Sequence, residues 1–244
     1  MSRSTSPLPS SASEAVVDVW LPDGDLPAPS RSEPTPVVAV IHGGFWRPEY
    51  DRSHCRPLAN ALAAAGFSVA VLEYRRHPGD PDIAVSDVRR ALTTIGHHVH
   101  ATDSSMVVVG HSAGGHLALL IAADPPHPSI HGVVALAPVA DLAAAEEANL
   151  GDGATHAFLG VPASTRPDLD PLQRATPAVP TILVHGVWDE VVPIEQSRQY
   201  LHRHKSADDE GLHLVEAIDA AHFHLIDPES QAWPRVVEAI STLI

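Results

Sequence analysis

Gly110-His111-Ser112-Ala113-Gly114 cuts through an apolar run, "SMVVVGHSAGGHLALLIAA" (105–123), and sets a serine among small residues. The run before it is β-branched and reads as a buried strand; the apolar spacing after it is helical. A serine on so short a strand-to-helix turn suits a nucleophile. The turn lifts its Oγ above the sheet edge, flanking glycines relieve clashes, and the helix N-terminus favours developing negative charge.

A serine hydroxyl is a poor nucleophile at neutral pH, so it needs a base, and the base needs an orienting acid. With this kind of turn the order along the chain is serine, acid, histidine, each after a later strand. "TILVHGVWDEVVP" (181–193) supplies Asp189, with Glu190 as the neighbouring alternative. "AIDAAHFHLIDP" (217–228) supplies His222, with His224 as the alternative. An oxyanion hole needs backbone N–H groups aimed at the reacting carbonyl. "VVAVIHGGFW" (37–46) can provide one from Gly44 or Phe45, and Ala113 the other. One such donor is worth ~3 kcal/mol in the transition state. Gly43, Trp46 and Trp188 are candidate substrate contacts, the two indoles with Phe45 forming an aromatic wall unless they pack in the core or rim.

These residues must be held by alternating elements, and the chain has them. "VVAVIH" (37–42), "SVAVLEY" (68–74), "MVVVG" (106–110), "GVVALAP" (132–138), "TILVHG" (181–186) and "GLHLVEA" (211–217) read as strands. "AVVDVWLP" (15–22) reads as a half-exposed strand ahead of them. Helical patterns separate most of these strands, one closed by Gly66, and another ends the chain. The expected fold is α/β, a mostly parallel central sheet with helices on both faces. Residues 139 to 179 break the rhythm with prolines and short Ala-rich pieces, and read as a small insertion over the active-site edge of the sheet. Residues 1–13, rich in Ser and Pro, read as a disordered tail, and 14–244 as a single domain.

Composition narrows the partners. The chain has 244 residues and a net charge of −15, which argues against nucleic acid and anionic membrane. No stretch approaches ~18 apolar residues and no signal peptide is visible, so a cytoplasmic location is expected. Cys55 is the one cysteine and reads as structural. Of 17 histidines, His97, His98, His100, His202 and His204 read as solvated helix faces. No set of metal ligands converges on defined elements, so neither metal nor cofactor is expected. Glu73, Tyr74 and Arg75 follow a strand and read as structural pairs. The oligomeric state stays open, a homodimer included.

The motifs resemble the α/β-hydrolase superfamily from about residue 15 onward. "HGGFW", "GHSAGGHLA" and "HFHLID" are similar to kynurenine formamidase (arylformamidase) motifs; the first two are also shared with small carboxylesterases. The resemblance implies Ser112 as nucleophile, Asp189 as acid, His222 as base and the HGG loop in the oxyanion hole. It implies a serine hydrolase that cleaves a small ester or amide through an acyl-enzyme. An arylformamidase-like activity is expected first and a short-chain carboxylesterase second. A peptidase or a catalytically silent binding module is the remoter expectation.

Overall fold

The computed structural model describes residues 17–22, 36–100, 105–206 and 210–244, the side chains of 98–100 excepted. The expected tail and most of the Pro-rich stretch before residue 36 lie outside them, as do the side chains of His98 and His100.

The elements follow the expected rhythm. They run β1 (Val17–Trp20), β2 (Val37–Ile41), α1 (Arg56–Ala64), β3 (Ser68–Leu72), α2 (Pro81–His100), β4 (Met106–His111) and α3 (Ala113–Ala122). Then come β5 (Ile130–Leu136), α4 (Leu142–Glu147), α5 (Ala154–Leu159), β6 (Thr181–Gly186), α6 (Glu195–His204), β7 (Leu212–Ala217) and α7 (Trp233–Thr242). The seven strands lie in the order β1-β3-β2-β4-β5-β6-β7. Among the described residues, only β1 is antiparallel to its neighbour and all other strand pairs are parallel.

Continuous apolar runs make the central strands because both faces are covered. Alternation along β4 sends Met106 and Val108 to one core and Val107 and Val109 to the other. The first core takes Val85, Val88 and Leu92 of α2 and Leu117 and Leu120 of α3. The second takes Leu58 and Leu62 of α1 and Val236 and Ile240 of α7. Proline near its N-terminus starts α1, and Gly66 at φ 100° lets the chain turn back into β3.

The insertion is packed, not loose. Asp141 caps α4, its side chain accepting from the backbone N–H of Ala144. Asp170 Oδ1 accepts from the N–H groups of Leu142 and Leu172 at 3.2 and 3.1 Å. Gln196 Oε1 accepts from those of Ala140 and Asp141 at 2.9 and 2.7 Å. The N–H of Gly79 donates to Ala157 O at 2.9 Å. Residues 139–179 therefore stand as a wall tied to α6 and to the segment after β3.

His204 corrects one expectation. It lies on the inner face of α6, 6% exposed, with its ring Nε2 3.2 Å from Pro171 O. A helix with His202 and Arg203 beside it gives no local sign of which of the three turns inward. No helix among the described residues is long and apolar enough to cross a membrane.

Candidate active site

Ser112 stands between β4 and α3 with φ 56° and ψ −117°, a strained backbone for a residue with a side chain. Close packing holds it there. A Cβ on Gly110 would lie 2.2 Å from Gly114 O, and one on Gly114 would lie 2.1 Å from Ile41 O. Both glycines are required by contact distance. The serine N–H donates to Leu136 O at 2.8 Å, and its carbonyl accepts from His116 N at 3.0 Å. The turn is thus fixed to β5 and to the first turn of α3.

The acid and base loops leave the same edge of the sheet. Asp189 follows β6 and is 8% exposed; Glu190 beside it is exposed. Asp189 Oδ1 accepts from the N–H groups of Val191 and Val192 at 2.9 and 2.8 Å. Its Oδ2 takes a hydrogen bond from His222 Nδ1 at 2.7 Å. Burial alone would raise the Asp189 carboxyl, but hydrogen bonds from His185, His222 and Val192 N–H outweigh it and hold the group well below the usual carboxylate range. Asp189 is therefore an anion, and the bond places a proton on His222 Nδ1 and orients its ring. His224 faces away and accepts from Ala221 N through Nδ1 at 2.9 Å, closing its own turn.

Ser112 and His222 share this rim through His111. The ring of His111 lies 4.5 Å from that of His222, and its Nε2 is 3.1 Å from His222 O. No hydrogen bond joins Ser112 Oγ to His222 Nε2 among the described residues.

The HGG loop abuts the serine. A Cβ on Gly43 would lie 2.9 Å from His111 O and 3.1 Å from Ser112 Cβ. Gly44, Phe45 and Trp46 follow with φ of 108°, 51° and 53°, a left-handed run that folds the loop back on itself. His42 Nδ1 is 2.8 Å from Gly43 O and donates to it. In a trans peptide the N–H points opposite the C=O, so that bond turns the Gly44 N–H away from His42. Tyr74 stacks on His42 at 4.4 Å and donates its hydroxyl proton to His42 O at 3.0 Å. Glu73 lies 3.1 Å from His42 Nε2 and also meets Arg52 and Arg76. Burial would raise Glu73, but its bonds with His42 and Arg76 hold it far below the usual value. Arg75 pairs instead with Asp87 at 2.7 Å. Ala113, the other expected backbone donor, opens α3, where an N–H has no intrahelical acceptor.

The expected aromatic wall divides. Trp188 is 69% exposed on the acid loop, its indole N–H donating to Ile218 O at 2.8 Å. Phe223, which the sequence reading did not single out, is 64% exposed with its ring 5.1 Å from that of His222. Phe45 is half-buried against Gly151 of the insertion. Trp46 is a correction: it is 3% exposed, stacked on Phe158 at 4.6 Å and edge-on to His116 at 5.1 Å. The insertion supplies Phe158, so nothing near residue 46 in the chain announces that the indole is core.

Sequence reasoning also missed His111 and His185. His185 is fully buried, with Nδ1 2.7 Å from Ser197 Oγ and Nε2 2.9 Å from Val192 O. It backs the loop that carries Asp189. Buried histidines are spread among so many exposed ones that type alone does not mark them. No group of three or more His, Cys, Asp or Glu residues that could hold a metal ion occurs among the described residues.

The chain is similar to several known proteins. A probable carboxylic ester hydrolase, LipM of Mycobacterium tuberculosis, is 29% identical over 76% of this chain and 47% of its own length. A kynurenine formamidase of Danio rerio is 34% identical over 43% of this chain and 33% of its own. The chain thus spans about half or less of these curated relatives. A solved structure of Thermogutta terrifontis esterase 2 superposes with a TM-score of 0.75 over 98% of this chain and 92% of that one, at 19% identity. That likeness establishes the α/β-hydrolase fold. The BD-FAE family model matches residues 23–203, and with it the chain belongs to the BD-FAE family of α/β-hydrolase proteins.

Proposed function

We propose that this protein is a serine hydrolase that cleaves small carboxylic esters through an acyl-enzyme. One observation carries the reading: the buried Asp189–His222 pair, bonded at 2.7 Å, sits beside the strained Ser112 turn. In the proposed reaction Ser112 Oγ attacks the carbonyl carbon while His222 Nε2 takes its proton. The positive imidazole is matched by the Asp189 anion, and the oxyanion is bound by N–H groups of Ala113 and of Gly44 or Phe45. His222 returns the proton to the departing alkoxide. Water, deprotonated by the same imidazole, then attacks the acyl-enzyme and releases the acid and the serine hydroxyl.

The ester reading is favoured by the extent of the likeness, since LipM is matched over 76% of the chain. A second reading is hydrolysis of an N-formyl aromatic amine, supported by 34% identity to the Danio rerio kynurenine formamidase over 106 residues. A formyl group needs little acyl pocket, and Trp46, Phe158 and the Phe45–Gly151 contact fill space near the HGG loop.

The experiment compares p-nitrophenyl acetate and butyrate with N-formylkynurenine under matched conditions, for the protein and for Ser112→Ala. Ester turnover that Ser112→Ala abolishes while remaining folded is the expected result. A kcat/KM for the formamide far above that for the esters would move the substrate to the second reading. Turnover retained by Ser112→Ala would overturn the mechanism.

A further inference from the structure

We infer that His111 is a positioning residue that fixes the base loop to the nucleophile turn. The inference rests on the reading of Ser112, Asp189 and His222 as the catalytic set.

The geometry is specific. His111 is the last residue of β4 and precedes Ser112 directly. Its Nε2–H donates to the backbone carbonyl of His222, 3.1 Å away and 111 positions later in the chain. Both side chains are buried, each 3% exposed by residue. The base loop is also held by the loop that carries Asp189: Trp188 N donates to Ala220 O at 2.9 Å, and Gly186 lets that carbonyl press against β6. Asp189 fixes the His222 ring through Nδ1, but a ring bonded at one nitrogen still travels with its backbone. The His111 bond stops that travel on the serine side. It ties the distance between nucleophile and base to a single side chain one residue from the nucleophile.

The same geometry requires His111 to be neutral. A carbonyl partner at Nε2 means the proton sits there, leaving Nδ1 bare on the side facing Gly43 and the HGG loop. Burial, and then the neighbouring His222, keep His111 from taking a second proton. The tilted ring beside the base therefore adds no charge of its own when His222 becomes positive during acyl transfer. An aliphatic residue would fill the space without the bond, and a shorter donor would not reach.

The test compares His111→Gln, His111→Asn and His111→Leu with the unaltered protein, using p-nitrophenyl acetate turnover, the inactivation rate with a fluorophosphonate, and thermal unfolding. Gln carries an N–H near the Nε2 position; Asn carries one near Nδ1 and falls short. For Leu and Asn the expected kcat loss is at least tenfold, with KM within about twofold and fluorophosphonate inactivation slowed in parallel. Gln is expected to recover most of the loss. Wild-type kcat in Leu or Asn, or equal loss in Gln and Asn, overturns the inference. If Leu fails to fold, the Gln–Asn comparison decides. An unaltered protein that neither turns over esters nor reacts with the fluorophosphonate would overturn the underlying reading instead.

Discussion

His222 Nδ1 lies 2.7 Å from Asp189 Oδ2, and that oxygen is also 3.4 Å from His185 Nε2. One carboxylate oxygen therefore meets two buried imidazoles while the other is satisfied by backbone N–H groups. The Asp189 carboxylate is surrounded by donors on both sides, and this keeps it ionised without solvent.

Replacing Asp189 by Asn keeps an oxygen for Val191 and Val192 N–H but turns an amide N–H toward His222. The favoured imidazole tautomer then reverses, and Nε2 is protonated when it should be basic. Asp189→Asn is expected to lose kcat by about 10³–10⁴-fold while the fold survives, as for the corresponding change in a well-studied triad. Steady-state kinetics beside circular dichroism checks both halves; a loss below tenfold would mean that Asp189 does not orient the base.

Gly114 is where the elbow meets β2. A Cβ there would stand 2.1 Å from Ile41 O and 2.5 Å from His42 O, both backbone atoms that no rotamer change can clear. Gly114→Ala is expected to destabilise the protein by about 3 kcal/mol or more, toward the upper end of overpacking costs, read as a lower urea midpoint. Since His42 begins the HGG loop, the same clash should lower ester turnover in whatever fraction stays folded. A midpoint unchanged by Gly114→Ala would mean that the strand and helix can part cheaply.

Buried neutral histidines should make the protein sensitive to mild acid. Burial pushes the His116 imidazole down to about 4 against an ordinary 6.5, with its bond to Leu169 O only partly opposing. An unfolded chain takes up that proton below pH 6.5 and the folded one does not. The stabilisation is therefore complete above pH 6.5 and is lost as pH falls toward 4. His111 shifts in the same direction, also chiefly by burial, and so do His54 and His204. His116→Gln is expected to flatten the curve of unfolding free energy between pH 6.5 and 4 by about 2–3 kcal/mol, measured by urea titration at each pH. An identical slope in the variant would mean that His116 is solvated in the native state.

The strands, and the placing of Ser112, Asp189 and His222 on the turn and loops after β4, β6 and β7, were legible because each is a local signal. Apolar runs mark strands buried on both faces, and glycines mark turns that a Cβ would block. The expectation of Asp189 rather than Glu190 and of His222 rather than His224 also rested on local signals, since Val191 and Val192 follow one and Ala220 and Ala221 precede the other. What the chain hid was long-range. Trp46 is core because Phe158, 112 positions later, stacks on it. His111 matters to the base loop because β4 and β7 end at the same edge, which no window of sequence reports. His204 turns inward toward Pro171, a partner 33 positions away.

Asp170 tests the insertion from the opposite sign. It is 2% exposed, and burial raises its carboxyl to about 6, with Asp141 adding to the rise and the N–H groups of Leu142 and Leu172 opposing it. The folded state holds this proton more tightly than an unfolded chain, whose value is near 3.8. The group thus contributes stability when protonated, and that contribution is lost as pH rises from about 4 through about 6. Asp170→Asn retains an oxygen for Leu142 and Leu172 but cannot ionise. Its extra amide donor brings a cost that does not vary with pH, so the variant's absolute stability is a poor guide. The informative quantity is the difference between variant and unaltered protein at pH 4.5 and at pH 8. That difference should shift in favour of Asn by roughly 1–2 kcal/mol on going to the higher pH. Denaturant melts at the two pH values read it directly. A constant difference would mean that the carboxylate is as well solvated in the wall as in the unfolded chain. The two hydrogen bonds by which Asp170 joins the start of α4 to the turn at Leu172 would then lie at a surface water reaches freely.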